Sequence, residues 1–329
     1  MWTAAFRALN EEFGKPVLVT SQPKLSDLLS GYLYNREISF ASDPVFLSND
    51  RLIFNEQRPK GTLERRGDLL FQRLLAQPFL KALFERFLLW LSALHSTRHN
   101  HLLVNIDLLA HSYAATERKD RLIWRSGAHA VEIILNNFHV RPRGLQGELY
   151  FSPEEESHAD RLLDGAGLAV GGFIVIEPGT KTDYFGTLRA WPMERWQETL
   201  DILQLQLPDI RVAQIGFSSS PLLAGVADLR GTNFRTAAAI IARARLFLGS
   251  DGGMMHAARA VNTNAVIVWG GLCEPGLLAY EDFHRIIHKR VDCSPCGLLG
   301  NCPNGHLCMS GILAQEVADA IRQEISIPS

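Results

Sequence analysis

The chain has 329 residues, of which 47% are hydrophobic and 21% charged, and its formal net charge is -2. That balance excludes a disordered chain and a strongly basic nucleic-acid binder, and the length suffices for two domains that each bury a core. No stretch reaches the roughly 18 unbroken apolar residues of a membrane span, and the N-terminus lacks a basic segment followed by an apolar signal core, so the sequence reads as cytoplasmic.

The first segment sets Trp2, Phe6, Leu9 and Phe13 at helical spacing; Gly14 then stops it before a short strand, PVLVT, at 16–20. Residues 69–94 carry Leu70, Leu74, Phe84, Phe87, Leu91 and Leu94 among Arg73, Lys81, Glu85 and Arg86, which predicts an amphipathic helix pair broken at Pro78. A core-facing pair is the plainer reading, and an acceptor-docking or membrane-surface face the sharper one. HLLVNIDLL at 101–109 reads as a buried strand and AVEIILNNF at 130–138 as a helix ending near Pro142, before a charged, Pro- and Gly-containing linker and a short helix.

A more regular unit comes next. FIVIEPG, RVAQIGF, LFLGSD and NAVIVWGG read as strands, alternating with helices over MERWQETLDILQLQL, RTAAAIIARA and GMMHAARAV. Strands alternating with helices need crossover connections, hence a parallel sheet covered on both faces. The expected architecture is α/β, with two doubly wound Rossmann-like domains facing a cleft, residues 1–160 and 161–329.

In such sheets ligands bind beyond the carboxyl ends of the strands. The turn Gly249 to Gly253 is one such place: Gly252 and Gly253 put no Cβ in a ligand's way, and the first amides of the helix from Met254 can donate to phosphate oxygens. His256 lies in the first turn as a further donor, and Asp251 is placed to cap the helix.

LFLGSDGGMMHAARAVNTNAVIVWGG resembles the donor-site signature of the heptosyltransferases, glycosyltransferase family 9, with Asp251, Gly253, Met255, His256, Ala257 and Ala258 in register. IVIEPGTK with RAWPMERWQETL, and VADLRGTNFRTAAAIIARARLFLGSD, are similar to two further family segments in the same order. The resemblance covers about residues 165–310. It implies a GT-B fold and an inverting transfer of a sugar, usually heptose, from an ADP-sugar to a lipopolysaccharide core or protein acceptor. It also implies that transfer needs no divalent metal, and a cytoplasmic place with a peripheral contact at the inner membrane. Thr180, Lys181, Arg189, Asp251, Gly252, Gly253, Met255 and His256 become the expected donor-binding residues, Lys181 and Arg189 as the cations for the diphosphate. Other readings are a non-catalytic or truncated relative that binds nucleotide sugar or serves in assembly, and a nucleotide-sugar epimerase of the same architecture.

Members of that family start with a strand and a Gly-Asp turn whose aspartate is the general base. The sequence opens at what looks like the helix after that turn, so the N-terminal domain is expected to lack its first strand. Asp27, Asp43 and Asp107 are not distinguished by spacing, and no base is assigned.

Four of the five cysteines form Cys-x2-Cys-x5-Cys-x5-Cys at Cys293, Cys296, Cys302 and Cys308, a set that suits a structural zinc or iron in tetrahedral thiolate coordination. Reduced thiols in a packed loop are the competing reading. His306 is a further candidate ligand, and His284 and His288 are expected on one face of a strand. Cys273 stands apart as a small buried hydrophobe.

Overall fold

The computed structural model describes residues 4–5, 7–8, 11, 17–20, 37–40, 103–105, 127–136, 140–179, 186–298 and 301–326. The amphipathic region 69–94, Asp27, Asp43 and Asp107 lie outside the described residues. The chain divides into two compact units, one of residues 2–120 and 131–144 and one of residues 121–130 and 145–329, with Met1.

In the first unit three short strands are described, β1 (Val17–Thr20), β2 (Glu37–Phe40) and β3 (Leu103–Asn105). They form a parallel sheet in the order β2-β1-β3. Helix α1 (Ala130–Asn136) begins at the passage between the units.

The larger unit carries a parallel sheet of β4 (Phe173–Glu177), β5 (Arg211–Gln214), β6 (Ala227–Asp228), β7 (Leu246–Ser250), β8 (Ala265–Trp269) and β9 (Arg285–His288). Their order is β6-β5-β4-β7-β8-β9. From β4 the chain builds outward through β5 and β6, then returns to lay β7 against the other side of β4. The direction of winding therefore reverses between β4 and β7, where Glu177 is in register with Gly249. At such a reversal the flanking connections leave to opposite faces and open a crevice beyond the carboxyl ends.

Helices cover both faces because alternate residues of the central strands point to opposite sides. Ile174, Ile176, Leu246, Leu248, Val266 and Val268 share one core cluster with Trp196, Leu200 and Leu203 of α3 (Met193–Gln206) and with Val317, Ala318 and Ile321 of the helix Ala314–Ser326. Phe173, Val175, Phe247 and Ile267, the intervening residues, are also fully buried, and α2 (Pro153–Gly165), α4 (Phe234–Ile241) and α5 (Gly253–Ala260) pack together as a second group. The strands are thus apolar on both faces, as a doubly covered parallel sheet requires.

The linker helix α2 has a complete capping box: Ser152 Oγ accepts from Glu155 N at 3.3 Å, and the Glu155 carboxylate accepts from Ser152 N at 2.8 Å. Glu155 also accepts from Arg235 of α4, at 2.7 Å through Nη2, which fixes α2 to its neighbour. Replacing Ser152 with alanine removes one arm of that box and is expected to lower stability by about 1 kcal/mol. Urea unfolding of the two proteins checks this, and an unchanged midpoint would contradict it.

Candidate functional site

At the end of β7 every residue is buried, and Asp251 itself is only 4% exposed. Gly252 is the N-cap of α5 in fully extended backbone, φ -175° and ψ -175°, and no side chain caps the helix. Asp251 is therefore not the cap expected from the sequence. Its side chain turns back toward Arg189, whose Nη1 lies 3.7 Å from Asp251 Oδ2 and donates to the Asp251 main-chain oxygen at 3.2 Å. Burial pushes the Asp251 carboxyl above its ordinary range, and the Arg189 guanidinium opposes that shift.

Neither backbone nor packing demands glycine at the start of α5. An extended φ is open to any residue, and a Cβ on Gly252 or Gly253 would meet only ordinary contacts, at 3.8 Å from Ser250 O and 3.7 Å from Phe234 Cε2. Gly249 differs: a Cβ there would sit 2.6 Å from Phe247 Cζ. The two glycines of the turn leave an uncapped helix start with no side chain over it, which is what an anion approaching the backbone requires.

Arg189 ends a short 3-10 turn, Gly186–Arg189, and the tryptophan two residues on holds that turn in place. Trp191 is 2% exposed, donates from Nε1 to Ile312 O at 3.2 Å and meets the Trp196 ring edge-on at 4.7 Å. With the backbone anchored there, the guanidinium is fixed beside the helix start. Its Nε is buried without a hydrogen-bond partner among the described residues, and its side chain is 25% exposed. A planar fork with donors unspent beside open helix amides is suited to a phosphate.

His256, half-buried in α5, has its Nδ1 2.9 Å from the hydroxyl of Tyr280. Desolvation holds its pKa well below the ordinary value, so it is a neutral imidazole. Met255 is fully buried, so its side chain packs the helix onto the sheet instead of facing the crevice, and its carbonyl oxygen lies 3.3 Å from His284 Nε2. Thr180 and Lys181 lie outside the described residues. The structure therefore brings Arg189, Asp251, Gly252, Gly253 and His256 together at one end of the sheet.

Two residues of this region carry no signal that sequence reasoning used. Glu177 ends β4 at the reversal point, its Cγ 3.8 Å from where a Cβ on Gly216 would stand, and burial raises its pKa from 4.5 to about 7. Tyr280 is 1% exposed and reaches His256 from 24 residues away.

The cysteine loop docks on the turn after β8. Cys296 N donates to Gly271 O at 2.9 Å and Gly297 N to Leu272 O at 3.0 Å, and a Cβ on Gly271 would lie 3.2 Å from Cys308 Sγ. Among the described residues no three His, Cys, Asp or Glu side chains come together as a metal-binding group. Cys293 is exposed, and Cys296, Cys302 and Cys308 are half-buried. Cys273 is buried at 1% exposure, as expected. His284 precedes β9 and His288 ends it, so they do not share a strand face; His284 is buried with its pKa lowered by desolvation to about 4.

Solved structures share this fold. A glycosyl transferase family 9 protein from Veillonella parvula DSM 2008 superposes with a TM-score of 0.61 at 12% identity, over 98% of this chain and 92% of that one. The E. coli ADP-heptose lps heptosyltransferase II gives 0.57 at 17% identity, over 98% and 93%. The fold class is therefore α/β, the one these two structures share. Residues 223–298, a segment that contains β7, the glycine turn and α5, match the family model described as Glycosyltransferase family 9 (heptosyltransferase). No curated protein matches the sequence. Among the described residues no helix is long and apolar enough to cross a membrane.

Proposed function

We propose that the chain is an inverting glycosyltransferase that moves a heptose, or a related sugar, from an ADP-sugar to a lipopolysaccharide inner-core acceptor. The observation that carries this reading is the uncapped, glycine-led start of α5, inside the segment that matches family 9, with the Arg189 guanidinium fixed beside it. Helix-end amides and a cation can take the charge that develops on the departing diphosphate. The acceptor hydroxyl attacks the anomeric carbon as its bond to the phosphate oxygen breaks, so the configuration inverts, ADP leaves and the hydroxyl proton passes to a base.

Arg189, Gly252, Gly253 and His256 hold the diphosphate in this reading, with Thr180 and Lys181 assisting and Asp251 orienting Arg189. ADP-heptose as donor and the lipopolysaccharide core as acceptor come from the family resemblance, and the E. coli protein that shares the fold is itself an ADP-heptose lps heptosyltransferase. The two-domain division at about residue 160, a peripheral contact at the inner membrane and a cytoplasmic location belong to the same proposal. The cysteine loop enters it as a brace on the Gly271 turn, with no chemical step routed through the thiols.

Calorimetric titration with ADP-heptose beside ADP, UDP-glucose and GDP-mannose, followed by a transfer assay on the same sample, tests the reading. Selective binding of the adenine nucleotides is expected, and equal or absent binding of all four would overturn it. His256→Ala is expected to weaken ADP binding about ten- to a hundredfold, the worth of one hydrogen bond to a charged group, with the fold intact.

A further inference from the structure

Tyr280 lies two residues past α6 (Pro275–Leu278) and is almost completely buried, its ring packed edge-on to His256 at 5.6 Å and to His284 at 5.8 Å, and tilted toward His129 at 5.4 Å. Its backbone is pinned by two turn bonds, Phe283 N and His284 N both donating to the Tyr280 oxygen, at 2.9 Å and 2.7 Å. The ring thus has no freedom to swing, and its hydroxyl is delivered to His256 Nδ1 at 2.9 Å.

The direction of that hydrogen bond is set by satisfaction. A buried phenol must place its proton on an acceptor, and His256 Nδ1 is the acceptor that the described residues offer it. Were Nδ1 the donor, the tyrosine O–H would be orphaned. With the phenol donating, Nδ1 is the bare nitrogen and the ring proton must sit on Nε2. That nitrogen has no hydrogen-bond partner among the described residues and is not among the fully enclosed polar atoms. His284 sits the other way round: its Nε2 faces the Met255 carbonyl at 3.3 Å, so that nitrogen carries the proton and Nδ1 is enclosed without a partner.

We propose that Tyr280 is a positioning residue that fixes His256 in the Nε2–H tautomer, turning it into an uncharged hydrogen-bond donor for an oxygen of the nucleotide diphosphate. The proposal rests on the reading of the site as a diphosphate site. It explains why a histidine next to an anion site stays neutral: burial disfavours the imidazolium, and the nearby His129, His284 and Arg189 add to that effect. A neutral donor with a fixed tautomer gives direction without competing with Arg189 for the charge.

The test is 15N histidine NMR of the full chain, with the His256 signals identified by their loss in His256→Ala, alongside ADP titrations. The wild-type protein is expected to show a bare, hydrogen-bonded Nδ1 and a protonated Nε2 from pH 6 to 8. Tyr280→Phe is expected to mix the two tautomers and to weaken ADP binding on the order of fivefold. A protonated Nδ1 or an imidazolium in the wild-type protein at pH 7 overturns the proposal even if the variant does not fold. ADP binding that is intact in both proteins overturns the positioning role, whereas failure of wild-type protein to bind ADP overturns the diphosphate reading and leaves the tautomer result to stand.

Discussion

Arg189→Ala is expected to lower transfer by about a hundredfold or more and to destabilise the larger unit at the same time. The first effect comes from removing the one described cation placed beside the helix start, a donor of the kind that stabilises developing anionic charge. The second comes from Asp251, which is 4% exposed and has Arg189 Nη1 at 3.7 Å as its counter-charge. A fully buried pair broken in this way costs about 3–5 kcal/mol; with the guanidinium a quarter exposed, about 2 kcal/mol is the expectation. Without the arginine the Asp251 carboxyl rises further above its ordinary range, so the variant loses stability as pH rises. Arg189→Ala combined with Asp251→Asn should therefore recover stability at pH 8 while transfer stays lost. Thermal unfolding and initial rates on the single and double variants check both effects. Normal transfer by Arg189→Ala would remove the arginine from the site, and no stability recovery in the double variant would remove the charge pairing.

Arg189 and Asp251 also mark where reading a sequence stops. The strands of the larger unit were legible because their runs are short, apolar and rich in Val and Ile, and the helices because apolar residues recur at helical spacing. The anion-binding turn was legible as well, since glycines between a strand and a helix leave a local trace. What Asp251 touches was not: a cap is a contact within three residues, whereas its partner stands 62 residues upstream and is delivered by the packing of Trp191. Tyr280 was invisible for the same reason. The two-residue β6 is too short to show a period. The cysteine spacing is legible, but it does not record that Cys296 and Gly297 are bonded to the turn at Gly271 and Leu272.

Glu177→Gln is expected to make the protein more stable above neutral pH, the opposite of what deleting a functional carboxylate usually brings to mind. Glu177 ends the central strand β4 where the winding reverses, and no described cation or amide compensates it. Desolvation lifts its pKa from 4.5 to about 7. A carboxyl whose folded value is raised binds its proton more tightly in the native state. Its contribution to stability is therefore present below pH 4.5 and lost as pH climbs to about 7, beyond which the loss is complete. The interval from 4.5 to about 7 corresponds to about 3 kcal/mol, so glutamine, which keeps the shape without the charge, should gain up to that amount at pH 8 and little at pH 4. Unfolding midpoints of the two proteins across pH 4 to 8 decide the matter. Curves that diverge as pH rises bear out an uncompensated carboxyl at the crevice; parallel curves would mean that Glu177 is solvated or paired, and that the carboxyl end of β4 is not the low-dielectric wall inferred from its burial.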